Sequence, residues 1–309
     1  MIVLRSAPEE VRTLAFTPDG RGLVAPSSAG TQVWNDISVG GSAAVEASQY
    51  GEKFTQFTPD GRAILFGGMR AVIRDVASGR TTPLQFRQPF PSRAMVAVSP
   101  DSQHIIAAQW GWNTSPRGRL IGRRMADIQV DVWSVDAERS FLSLPMFLLD
   151  GTRFLVIEGW AGVGTDFGTN FVTRDARTGE VLSVARWDNR NRDRPYESPT
   201  ASADRQLIAT RGAARIAVYQ ADDFAAKPVL LKNDGRKHFT ALAFHPSGRF
   251  LAATSNDATV KLYDTATWEV ARTFTWDIGR MRSIAFSPDG TLAAAGSDSG
   301  KVVVWDVDV

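Results

Sequence analysis

A short phrase recurs along the chain and constrains its fold more than any other feature. It reads Phe16-Thr17-Pro18-Asp19-Gly20, Phe57-Thr58-Pro59-Asp60-Gly61, Phe244-His245-Pro246-Ser247-Gly248 and Phe286-Ser287-Pro288-Asp289-Gly290. Weaker copies stand between them at Val98-Ser99-Pro100-Asp101-Ser102, Phe147-Leu148-Leu149-Asp150-Gly151 and Ser202-Ala203-Asp204-Arg205. The proline, or the residue in its place, falls at 18, 59, 100, 149, 203, 246 and 288, so successive copies lie 41, 41, 49, 54, 43 and 42 residues apart. A period near 40 means an array, here of seven repeats. Proline presets φ, aspartate bonds back to its own backbone and glycine takes positive φ at little cost, so each phrase is a hairpin turn between two apolar runs.

A second signature follows about 16 residues after most of these turns, at Gln32-Val33-Trp34, Val218-Tyr219, Leu262-Tyr263-Asp264 and Val304-Trp305-Asp306. Its β-branched and aromatic residues close a third strand. Turn formers such as Asp257 and Asp298 separate strands two and three, and a fourth run such as Glu269–Phe274 completes the repeat. Four short alternating strands per repeat, with no helical period, predict an all-β fold: a seven-bladed β-propeller of four-stranded antiparallel blades, with residues 1–309 as a single domain. The last third strand ends near Val309, while Met1-Ile2-Val3-Leu4 precedes the first hairpin by the distance a fourth strand requires. Residues 1 to 4 are therefore expected to pair into the last blade and remove its free edge.

These motifs resemble the WD40-repeat β-propeller family, whose signature is a Pro-Asp-Gly hairpin followed by a strand ending in Trp-Asp. The resemblance covers essentially the whole chain, strongest in repeats one, six and seven and weakest in four. The family's Gly-His pair is missing; by spacing its histidine falls at Arg236 and Ile278, so the family's buried hydrogen-bond tetrad does not carry over. Arg74 replaces the aromatic of the second repeat. The resemblance implies a non-catalytic scaffold that uses no cofactor and no metal and presents loops from several blades to a protein or peptide. The alternatives are a propeller enzyme of hydrolase or lactonase type with carboxylates at the channel mouth, and nucleic-acid binding through Arg/Trp loops.

Little else points to chemistry. His104, His238 and His245 lack metal-site spacing, and there is no G-x-S-x-G elbow, H-E-x-x-H helix or P-loop. Asp166-Phe167-Gly168 has no kinase lysine or catalytic loop around it, and Asp188, Asn191 and Asp193 lack a calcium-loop pattern. The formal net charge of +2 is too small to imply nucleic acid by itself. No signal peptide or long apolar segment is visible, so a cytoplasmic monomer is expected, and the ends also fit a propeller cut from a longer chain. Only six of the 35 basic residues are lysine, a bias that points to a GC-rich, prokaryotic source.

The repeat is broken in three consecutive places, and such loops are where function collects. From turn to third-strand aromatic the usual distance is 15 to 17 residues, but it is 33 from Pro100 to Trp133 and 25 from Leu149 to Arg174. A further excess lies between Arg186 and Pro195. These segments hold Trp110, Trp112, Arg117, Arg119, Arg123, Arg124, Trp160, Trp187, Arg190 and Arg192, the residue types that dominate binding hot spots. Together they predict one surface for an acidic or phosphorylated segment, and Trp276 is expected to reach the same face. Trp34, Trp133 and Trp305 are expected to pack between blades as third-strand residues. The short stretch between Trp133 and Leu149 implies that blade three either lacks most of its fourth strand or takes one from the insertion.

Overall fold

The hairpin phrase does what its chemistry dictates. In all seven copies the backbone N–H two residues after the marker donates to the carbonyl one residue before it, as in Gly20 to Thr17, Ser102 to Ser99 and Arg205 to Ser202. That donor takes positive φ every time, 71° at Gly20 and 77° at Gly290, and even where the residue is Ser102 (57°) or Arg205 (55°). In five copies a Ser or Thr hydroxyl also donates to the aspartate two residues on, from Thr17, Thr58, Ser99, Ser202 and Ser287. These bonds hold Asp19, Asp60, Asp101, Asp204 and Asp289 below the usual carboxylate range. In the sixth blade His245 takes the hydroxyl's place: Nδ1 meets Ser247 Oγ at 2.8 Å and Nε2 meets the Gly290 carbonyl at 2.9 Å.

The computed structural model describes all residues except 6–9, 28–29, 43, 47–51, 69–70, 87–91, 112–117, 138–140, 149, 162–166, 187–198, 213, 235–236 and 308–309. Around the hairpins the chain forms the seven antiparallel blades of a β-propeller, and among the described residues the one short 3-10 turn is Ile37–Val39. Blade six shows the regular pattern, with Phe239–Phe244, Phe250–Ser255, Thr259–Asp264 and Val270–Thr275 paired in order. Blade seven is completed by the N-terminus: Ile2–Arg5 runs antiparallel to the third strand, Ile2 opposite Val304 and Arg5 opposite Lys301. Gly41–Ser42 then adds a short parallel fifth strand outside it, which the repeat pattern did not announce.

Two compact units are present. One holds blades one, five, six and seven, and the other holds nearly all of blades two, three and four. In each, the core lies between successive blades. Leu4, Leu23, Trp34 and Val302 pack together in the first unit, and Leu120, Phe147, Phe154 and Val172 in the second. Each such side chain contributes about 1.5–3 kcal/mol by leaving water.

Blade three departs from the expected reading. Its third strand is Arg119–Arg124, within the supposed insertion, and its fourth is a full strand, Asp127–Asp136. A tight hairpin at Met125 and Ala126 joins them, and the spacing is not compressed once it is counted from Arg123, near the end of the third strand, which lies 26 residues before Leu149. Trp133 therefore lies on the fourth strand. It still packs between blades: its ring stacks on Phe154 of blade four, with centroids 6.1 Å apart and planes 12° apart, and Nε1 donates to the Ala176 carbonyl at 3.0 Å. The slot needs two glycines, because a Cβ on Gly122 would stand 2.2 Å from the indole and one on Gly179 would stand 2.6 Å from it. Trp276 is half-buried against Trp305, at 4.5 Å between ring centroids, and Phe274, so it belongs to the packing of blades six and seven.

Candidate functional site

Strand register divides the predicted surface between two ends of the blades. In blade three Gln109 pairs with Arg119 at one end of the second and third strands, and His104 pairs with Arg124 at the other. Residues 112–117 connect the first pair's end, and the Met125–Ala126 hairpin closes the second. Five strand steps of about 3.3 Å thus separate Arg119 from Arg124. They cannot serve one compact site.

At the connection end the strands are long. The second strand of blade three has eight residues, His104–Gly111, and the second and third strands of blade four have nine each, Arg153–Ala161 and Phe167–Asp175. Blades six and seven use six-residue strands here and close them with aspartate turns. Asp257 accepts from the Thr259 hydroxyl at 2.6 Å, and Asp298 accepts from the Arg280 N–H at 2.9 Å. Burial alone would raise the Asp257 carboxyl, but hydrogen bonds from Lys237, Thr259 and Ser255 bring it down to about 2. The two aspartates are turn formers. Trp110 lies near the end of its long strand, opposite Arg93, and Trp160 lies near the end of its own, opposite Gly168. Arg119 opens the third strand of blade three, and its Nε donates to Asp136 at 2.9 Å in an exposed pair worth less than about 1 kcal/mol. Trp112, Arg117, Trp187, Arg190 and Arg192 lie outside the described residues.

Arg123 has to be withdrawn from that surface. Only 2% exposed, it donates to Asp131 at 2.7 Å, to the Ile128 carbonyl at 2.7 Å and to the Gln85 carbonyl at 2.6 Å, and it lies over the Phe86 ring. Those acceptors come from blade two's exit and blade three's fourth strand, neither of which its own neighbours in sequence reveal. Arg124 is exposed, but at the hairpin end. There it lines a cleft of about 530 Å³ with His104, Trp133 and Arg177. Sequence reading missed this cleft because it assigned Trp133 to the wrong strand; the one available signal was a second basic residue, Arg177, in the next blade's turn.

The histidines have separate places: His245 is buried in its turn, His238 is exposed and His104 lies at the cleft. Among the described residues no three His, Cys, Asp or Glu side chains come together to hold a metal, and no helix is long and apolar enough to cross a membrane.

Comparison with known proteins agrees with this architecture. The WD40 family (WD domain, G-beta repeat) matches residues 231–264 and 269–306, which are blade six and most of blade seven with the strands leading into them. The target of rapamycin complex subunit wat1 of Schizosaccharomyces pombe is 24% identical over 146 residues, 34% of this chain and 46% of that protein. The meiotic recombination protein rec14 of the same yeast is 28% identical over 191 residues, 59% of this chain and 60% of its own. Pre-mRNA-processing factor 19 of Oryza sativa subsp. japonica is 29% identical over 76 residues, 25% of this chain and 14% of that protein. The chain thus spans from about a seventh to three-fifths of these relatives. All three are eukaryotic, and the prokaryotic source inferred from the arginine bias finds no support in them.

Proposed function

Because this chain is a WD40-repeat β-propeller, we propose that it works without catalysis, as a cytoplasmic monomer that holds a protein or peptide at the connection end of blades three to five. The observation that carries this reading is the lengthening of the strands there. The eight- and nine-residue strands there include Trp110 and Trp160 near their ends, where five- or six-residue strands suffice in blades five to seven. Aromatic anchors beside arginines match how binding energy concentrates in interfaces. The surface comprises Trp110, Trp112, Arg117, Arg119, Trp160, Trp187, Arg190 and Arg192, and its partner is an acidic or phosphorylated segment paired through guanidinium groups. One relative's name describes a subunit of a complex, which fits a part played within an assembly.

The test is affinity capture with the wild-type chain and with a variant whose residues 112–117 are replaced by Asn-Gly. That exchange leaves the strand Arg119–Arg124 in place. The expected result is a protein held by the wild type and lost by the variant, with both sedimenting as monomers. Equal retention by both would remove the connection end as the binding surface.

A further inference from the structure

We propose that the cleft at the hairpin end of blades three and four is a second binding site, independent of the surface above, for a phosphate monoester on an organic carrier. The cleft lies where the turn between strands three and four of blade three departs from the others. Blades two, four and six make that turn with six residues, Asp75 to Arg80, Asp175 to Glu180 and Asp264 to Glu269, each closed by hydrogen bonds back to the leading aspartate. Blade three has seven residues between Arg123 and its partner Asp131, arranged as a tight hairpin at Met125 and Ala126 with a break in register beside it. The indole of Trp133 borders the cleft and is held by its stack on Phe154 and by its bond to the Ala176 carbonyl.

The charges around that space are of one sign. Arg124 and Arg177, from blades three and four, are exposed and His104 is half-buried, and all three line it. Among the described residues no carboxylate lines the cleft. Among the described residues neither the Arg124 nor the Arg177 guanidinium has an ion pair or hydrogen bond. Of the nearby acids, Asp131 accepts from Arg123, Asp175 from the N–H groups of Arg177 and Thr178, and Asp101 from Ser99 and Gln103, while Asp127, the strand partner of Arg124, accepts from the Gln129 N–H at 3.4 Å and is not part of the lining. Two guanidinium groups that line one cleft from separate blades, neither with a partner among the described residues, match the several acceptor oxygens of a dianion, since each fork can take two of them. A volume of about 530 Å³ is far larger than a bare phosphate and falls in the range of ligand sites. Trp133, Val132 and Ala126 supply an apolar wall for whatever bears the phosphate.

The source of the phosphate is either a phosphorylated side chain or a small phosphorylated compound, and titration calorimetry at low salt distinguishes them. The probes are a degenerate hexapeptide pool fixed at one phosphoserine, the same pool unphosphorylated, and phenyl phosphate. Wild type is expected to bind the phosphopeptide pool or phenyl phosphate at least ten-fold more tightly than the unphosphorylated pool. The double variant R124A/R177A should lose at least ten-fold of that affinity, and R124K/R177K, which keeps charge but not the fork, should recover part of it. K232A, which removes an exposed cation from the fourth strand of blade five and touches neither site, should bind as wild type does. Because both arginines are exposed, the variants should keep the wild-type melting temperature. Preference for the peptide pool identifies a protein source, and equal binding of phenyl phosphate a small-molecule one. No phosphate-dependent binding by wild type, or unchanged binding by R124A/R177A, overturns the site.

Discussion

The two compact units of this protein solve the same packing problem with opposite chemistry. At the end of the third strand, blades one, five, six and seven carry Trp34, Tyr219, Tyr263 and Trp305, all 5% exposed or less. Blades two, three and four carry Arg74, Arg123 and Arg174 at the matching position, and the last two are equally buried. An aromatic seat demands bulk and forgives an idle polar atom: the Nε1 atoms of Trp34 and Trp305 and the Tyr263 hydroxyl are buried with no partner among the described residues, and burial pushes the Tyr263 phenol up to about 12. An arginine seat also tolerates an idle atom, since Arg174 Nε is buried with no partner among the described residues, but its charge demands acceptors. Arg123 reaches one carboxylate and two carbonyls, and Arg174 donates to Glu158 and to the Gly179 carbonyl, each at 2.9 Å. The lesson is that a buried arginine binds its blade to particular acceptors elsewhere, whereas an aromatic only has to fit.

Exchanging the seats should break the protein most severely. Trp305→Arg places a guanidinium among Phe274, Trp276 and other apolar groups, and should cost at least about 4 kcal/mol in urea unfolding or prevent folding. A loss below about 1 kcal/mol would show that the arginine seats need no special partners. Glu158→Ala should cost about 3–5 kcal/mol, because it strands the Arg174 charge in the core. Combining Glu158→Leu with Arg174→Met should return stability to within about 1 kcal/mol of wild type, or above it, since a buried ion pair seldom outperforms apolar packing. A double variant as weak as Glu158→Ala would mean the pair contributes more than its desolvation costs.

Smaller effects test what surrounds the seats. Gly122→Ala should drive the Trp133 ring from its slot and cost about 1–3 kcal/mol, with a change in near-ultraviolet circular dichroism. The smallest effect per residue belongs to the hairpin aspartates, which both units share. Their folded pKa values lie below the unfolded value of about 3.9, so the unfolded chain binds more protons near that pH. Their contribution should be complete above about pH 4 and fade as pH falls through the folded values. Melting curves from pH 6 to 2.5 should therefore drop below pH 4, and Asp60→Asn should make that drop shallower.

The hairpins were legible because the bonds that close each of them are local. A hydroxyl, an aspartate two residues on and a residue of positive φ after it form the turn, even at Ser102 and Arg205. The pairing of Ile2–Arg5 was legible for a related reason: counting strands left one place empty and one strand unassigned. Blade three was misread because Val132-Trp133-Ser134 looks like the end of a third strand, whereas an arginine in that seat gives no signal. Its credentials are the Gln85 and Ile128 carbonyls and Asp131, and a chain read in order does not bring Gln85 to Arg123. The candidate surface suffered accordingly, since Arg119 and Arg124 look adjacent in sequence while the antiparallel register puts them at opposite ends of one strand.

By itself, then, the sequence determined the number of blades, the chemistry of each turn and the use of the N-terminus to complete the last blade, because turn propensity and strand alternation act within a few residues. Only the tertiary structure decided which arginines face inward and which face solvent, on which strand Trp133 lies, and that Arg124 and Arg177 meet across a cleft. Those outcomes depend on acceptors, glycine gaps and neighbouring rings contributed by segments tens of residues away, and burial turns the same side chain from a solvated charge into one that must be paired.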